Sequence, residues 1–77
     1  MPPKFRGATG RVWALLQSRR DVAIADLFST AYPMRPERES RVQQQRIGWI
    51  IKHINKNLGG QKIGPGVKRR TYRLRQL

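Results

Sequence analysis

The stretch Ser40-Arg-Val-Gln-Gln-Gln-Arg-Ile-Gly-Trp-Ile-Ile-Lys-His-Ile-Asn-Lys-Asn-Leu58-Gly59-Gly60 decides the fold. Ile47, Ile50, Ile51, Ile54 and Leu58 recur at helical spacing, so the segment predicts an amphipathic helix with one apolar stripe. Ser40 followed by Gln43 has the S-x-x-Q form of a capping box, and Glu37 and Glu39 just ahead suit the positive end of the helix dipole. Gly59-Gly60 then predicts a left-handed stop.

Downstream, Gln61 to Ile63 and Thr71 to Leu74 predict two short antiparallel strands around the basic loop Gly64-Pro65-Gly66-Val67-Lys68-Arg69-Arg70. Tyr72 and Leu74 share parity and should face inward with Ile63. Upstream, a helix from about Ala23 to Tyr32 would bury Ile24, Leu27, Phe28 and Ala31. Pro33 stops it and opens a loop to Glu39. A first helix, capped by Thr9 and running to about Arg19, would present Val12, Leu15 and Leu16 on one face with Trp13 at the rim of the core. Val22 reads as a short extended segment between the two.

The chain has 77 residues, with 17 Lys+Arg against 4 Asp+Glu and a formal charge of +13. Of these, 11 Lys+Arg and 2 Asp+Glu lie in residues 37–77, so the C-terminal half carries the field. A polyanion is the natural partner, because each phosphate neutralised by Lys or Arg releases condensed counterions. The length allows one small domain and no second core. There is no Cys and one His, which removes disulfides, thiolate metal sites and Cys nucleophiles. The longest apolar run, Val12 to Leu16, is far too short to span a bilayer, and the N-terminal residues lack a signal peptide's apolar region. The location expected is the cytoplasm, in association with the nucleoid.

Catalysis is not expected. Asp21, Asp26, Glu37 and Glu39 fall near helix starts or in a loop, where capping and dipole roles suffice. No Ser-His-acid or metal-ligand spacing occurs, and the glycines from Gly59 to Gly66 lack the G-K-[ST] of a phosphate loop. Neither a cofactor nor a metal is expected.

Three helices, the last the longest, followed by a basic hairpin, is the order of a winged helix-turn-helix domain. The fold class expected is mainly α with a small β-hairpin: three helices plus a C-terminal wing over residues 9–77, preceded by a flexible basic arm at residues 1–8. The run Ile47 to Gly59, then Ile63 and Thr71-Tyr72-Arg73-Leu74, resembles the C-terminal DNA-binding domain of OmpR/PhoB-type response regulators. In that family the recognition helix reads V-D-V-x-I-x-R-L-R-x-x-L and the wing ends in G-Y-R-L. Leu27 to Tyr32 is similar to the family's L-L-x-x-V-W segment.

The resemblance implies that Trp49 and His53 look into a major groove, and that the loop Pro33 to Glu39 can meet RNA polymerase. It does not extend to a receiver domain or an N-terminal sheet, so phosphorylation control is not implied. Gly48 stands where the family has Asp, His53 and Asn55 where it has arginines, and the wing lacks T-V-R-G. DNA specificity is therefore not implied either.

Helical geometry independently sets Arg41, Gln45, Trp49, Lys52, His53 and Lys56 opposite the isoleucine stripe, at about 100° per residue. Trp49 either covers the wing or a loop as extended core, or meets thymine methyls in a groove. Gln44 and Gln45 lie in the helix's N-terminal part, which reads base edges in helix-turn-helix proteins, and Gln can pair bidentately with adenine. Base contact is thus expected from Gln44, Gln45, Trp49, Lys52 and His53. Phosphate contact is expected from Arg41, Lys56, the wing-tip trio Lys68, Arg69 and Arg70, and the outward-pointing Arg73.

The expected function is sequence-specific duplex DNA binding by a small transcription regulator of bacterial or phage type. A single module reads few base pairs, so a homodimer, tandem copies or a protein partner is expected as well. Two alternatives stand beside it: an RNA- or ribosome-associated or architectural nucleic-acid binder, and a protein-binding adaptor or inhibitor anchored by Trp49.

Overall fold

A computed structural model describes residues 5–34 and 39–76. The order is α1 (Gly7–Ser18), β1 (Val22–Ala23), α2 (Ile24–Ala31), α3 (Ser40–Lys56), β2 (Gln61–Pro65) and β3 (Thr71–Gln76). The strands form one antiparallel sheet in the order β1-β3-β2, so the described residues make a small mixed fold of three helices and three strands. Among the described residues no helix is long and apolar enough to cross a membrane.

Val22 does not simply bridge two helices. It pairs with Tyr72 and Ala23 with Thr71, so the expected two-stranded hairpin gains a third strand along β3. In the hairpin itself Ile63 stands opposite Leu74 and Pro65 opposite Tyr72. Both strands thus run two residues further than sequence patterning suggests. Tyr72 and Leu74 pack on the core beside buried Ile63, as their parity requires.

The core closes where the three apolar stripes meet. Val12 and Leu16 of α1, Leu27 and Phe28 of α2, and Ile47 and Ile54 of α3 are each almost wholly buried. The buried positions expected of α2 are all buried. Arg11 ties α1 to the end of α2, its Nε donating to the Thr30 carbonyl at 2.9 Å and Nη2 to that of Ala31 at 2.8 Å. A cation there meets the negative end of the helix dipole and satisfies carbonyls the helix leaves open.

Three helix ends differ from expectation. Helix α1 starts at Gly7, so Thr9 lies inside it and is not its cap. Gly7 adopts φ +60, a left-handed entry that glycine makes at little cost. A Cβ on Gly10 would come within 2.7 Å of the Phe5 carbonyl oxygen, so a bare glycine is what lets the preceding chain fold back on the first turn. Phe5 packs edge-on against Trp13, ring centroids 5.7 Å apart, so the packed chain reaches upstream of residue 9. Residues 1–4 of the arm lie outside the described residues.

Helix α3 begins at Ser40 itself, with Glu39 in the cap position and its carbonyl accepting from Val42 and Gln43 N–H at 3.1 Å. The box in which Ser40 would cap is therefore not formed. The helix ends at Lys56, two residues before Leu58, and Gly59 and Gly60 are not left-handed. Asn57 terminates it: Nδ2 donates to the His53 carbonyl at 2.9 Å and the Asn57 N–H to that of Ile54 at 2.9 Å. A side-chain cap satisfies the last carbonyls and removes the need for a left-handed glycine. Arg35 to Arg38, with Glu37 and most of the expected loop, lie outside the described residues.

The outer edge of β2 is blocked at Ile63 and Pro65. Asn55 of α3 accepts the Ile63 N–H at 2.8 Å and donates Nδ2 to the Ile63 carbonyl at 3.0 Å, as a neighbouring strand would. Pro65 has no N–H to offer, and its carbonyl accepts from Arg75 Nη2 at 3.1 Å. Closed edges prevent strand addition between molecules. Asn55→Ala is expected to cost about 1–3 kcal/mol through the stranded backbone groups and to promote self-association. Urea denaturation and sedimentation velocity would check both, and an unaltered variant would refute the role.

Candidate nucleic-acid interface

The isoleucine stripe fixes the rotation of α3, and so decides what its far side presents. Arg41, Gln44, Gln45, Trp49, Lys52, His53 and Lys56 are all exposed. Trp49 is 62% exposed, which excludes the alternative that it serves as extended core. An indole placed among lysines, arginine and glutamines is an apolar anchor on a cationic face. The face is not uniform: about 100° per residue places Arg41, Gln45, Trp49, Lys52 and Lys56 around its centre and Gln44 toward one edge.

Two elements flank that face. The hairpin lies along one side, held at both ends of α3: Arg70 Nη2 donates to the Ser40 carbonyl at 3.2 Å, and Asn55 holds Ile63. Phe5 lies beside His53, ring centroids 6.2 Å apart and edge-on, which brings the N-terminal segment against the helix. His53 therefore sits where the helix face meets that segment.

At the hairpin tip Lys68, Arg69 and Arg70 are exposed, and Val67 beside them is 79% exposed. They do not form one equivalent trio. Arg70 has φ +55 and spends its guanidinium on Ser40, whereas the side chains of Lys68 and Arg69 are exposed and have no partner among the described residues. Arg73 also stands apart, since its Nε lies 3.8 Å from Asp21 Oδ1 and it is only partly exposed. Strand alternation does carry it to the outer face of the sheet, but an internal carboxylate meets it there.

Arg73 pairs with Asp21 and Arg19 with Asp26. Neither touches Arg41, Lys52, Lys56, Lys68 or Arg69, so the cations of the helix face and wing tip keep their field for a partner. Sequence reasoning missed Asp21, Phe5 and Asn55 as parts of this surface. Phe5, an aromatic residue just ahead of a helix start, carried a signal for packing. Nothing in the local sequence links Asp21 to a loop 46 residues away.

Comparison of the chain with protein-family models, with curated proteins and with solved structures gives no match.

Proposed function

We propose that this chain is a winged helix-turn-helix domain that binds duplex DNA, with α3 as the recognition helix and the β2–β3 hairpin as the wing. Within that class it is a small sequence-specific transcription regulator of bacterial or phage type, similar to the effector domain of OmpR/PhoB-type response regulators. The observation that carries this is the exposed Trp49 in the middle of a helix face otherwise built of Arg41, Gln45, Lys52 and Lys56. A helix with side chains is about 10–12 Å across and the major groove of B-DNA about 12 Å wide, so such a face can lie in the groove. Lysines and arginines then neutralise phosphates, while the indole and Gln45 address thymine methyls and adenine edges.

The wing tip supports the same reading. Lys68 and Arg69 stand beside the recognition face and suit the adjacent minor groove or backbone. The RNA alternative is less well supported: single-stranded RNA is commonly read by aromatics exposed on a sheet, whereas Tyr72 packs on the core and Trp49 lies on a helix. The chain acts by binding, without catalysis or cofactor, in the nucleoid. Specificity in a cell calls for a dimer, tandem copies or a protein partner such as RNA polymerase. The closed β2 edge argues that any dimer uses another surface.

Selection from a random duplex library at near-physiological salt tests the proposal. The wild type is expected to enrich a motif. Trp49→Ala, which removes an exposed side chain, should leave folding intact yet lower discrimination against unrelated sequence by about 1–3 kcal/mol, the usual cost of one mismatched base pair. Retention without a motif would shift the reading to architectural or RNA binding, and no retention would point to a protein partner docked on Trp49.

A further inference from the structure

Asp21 lies in the turn between α1 and β1, yet its carboxylate reaches the wing. Oδ2 accepts the N–H of Val67 at 2.9 Å and, more weakly, that of Lys68 at 3.4 Å. Oδ1 faces Arg73 Nε at 3.8 Å, too far for a hydrogen bond and close enough for an ion pair, and the Asp21 side chain is 18% exposed. The loop is shaped to receive it. A Cβ on Gly66 would lie 3.0 Å from Asp21 Cγ and would collide with Thr71 Oγ1. Thr71 Oγ1 donates to the Lys68 carbonyl at 2.6 Å, and the Gly66 N–H donates to the Thr71 carbonyl at 2.9 Å. Arg70, left-handed at φ +55, turns its carbonyl to accept the Ile24 N–H at 2.9 Å.

This places one of only four acidic residues directly under the most cationic loop of a chain with charge +13. For a ligand made of phosphates that charge is unfavourable, so electrostatics alone predicts that removing it tightens binding. The geometry points to the opposite sign. We infer that Asp21 is a positioning residue for duplex binding: it pins the backbone at Val67 and Lys68 so that Lys68 and Arg69 meet phosphates together with the α3 face. The loop carries three consecutive cations, and a fixed acceptor beneath its backbone holds one arrangement before DNA arrives. The inference rests on the duplex-binding reading of the wing and adds the residue that orders it.

Four variants of the full chain test it. Asp21→Ala removes the acceptor and raises the net charge by one. Asp21→Asn removes the charge but keeps an acceptor oxygen, and Gly66→Ala disturbs the same contact without changing any charge. Lys68→Ala/Arg69→Ala supplies the background without tip cations. By NMR, the Val67 and Lys68 amides are expected to exchange with solvent about tenfold faster in Asp21→Ala, with Ile47 and Ile54 unchanged. Duplex affinity should fall by about fivefold or more despite the added positive charge, through lost preorganisation. Gly66→Ala should do the same, and Asp21→Asn should retain most of the affinity. In the Lys68→Ala/Arg69→Ala background the effect of Asp21→Ala should vanish.

Unchanged or tighter binding by Asp21→Ala and Gly66→Ala, or unaltered exchange of the loop amides, would overturn the positioning role while duplex binding stood. Tighter binding would mean instead that the carboxylate competes with phosphate for the loop amides. A wild type that retains no duplex would overturn the DNA reading and this role with it. If Asp21→Ala does not fold, Gly66→Ala and Asp21→Asn decide between the same outcomes.

Discussion

Replacing Lys68 and Arg69 together by alanine is expected to lower the salt dependence of duplex binding. Each phosphate contact contributes a slope of about 0.9 in log K against log salt, so losing two reduces it by about 1.8. Between 50 and 200 mM salt that difference narrows the gap between wild type and variant by about twelvefold. Both side chains are exposed at the tip, and among the described residues neither has a side-chain hydrogen bond or ion pair, so the fold should be unaffected. Arg70 is left in place because it bonds the Ser40 carbonyl and its removal would also loosen the start of α3. Titration of one duplex at several salt concentrations checks the prediction. An unchanged slope would mean that the hairpin tip does not touch phosphate.

Phe28→Ala should remove a large share of the stability of the domain. Phe28 is 2% exposed, its ring 5.0 Å from that of Tyr32, and Arg46 of α3 stands 6.0 Å above Tyr32. Emptying that position opens a cavity at the seam between α2 and α3, which costs about 3–5 kcal/mol for a buried aromatic. A chain of this length has about 4–12 kcal/mol in total at typical stability per residue. The melting temperature should fall by more than about 12 °C, given about 4–8 °C per kcal/mol in a domain this small. Duplex binding should fail in parallel, since the rotation of α3 depends on the same core. Phe28→Leu keeps most of the volume and should cost less than about 1.5 kcal/mol. Thermal unfolding followed by circular dichroism reads both, and equal melting points for the two variants would refute the packing argument.

Much of the candidate face was legible because it depends on periodicity. The stripe Ile47, Ile50, Ile51 and Ile54 is buried, and the residues counted to the opposite side are exposed, Trp49 among them. The strand parity of Ile63, Tyr72 and Leu74 likewise follows from the alternation of side chains. Helix ends were less legible because several local devices compete for the same backbone groups. Ser40 and Gln43 fit a capping box on paper, yet Glu39 takes the cap position, and Asn57 ends the helix before the glycines can.

Residues that reach across the chain were not legible at all. Asp21 read as a helix-start acid, but its partners are Val67, Lys68 and Arg73. Asn55 stood out only as a missing arginine, whereas its amide closes the edge of β2. Arg73 showed its outward parity in the sequence, but not the carboxylate waiting for it.

By itself, the sequence determined the number of helices, the face each buries, the hairpin and the sign of the field, since these rest on contacts a few residues apart and on summed charge. Only the tertiary structure decided the pairing of β1 with β3, the fold-back of Phe5, the closure of β2 and the seating of the wing loop on Asp21. Those contacts join positions tens of residues apart, and their energy appears only once packing of the core has already brought the segments together.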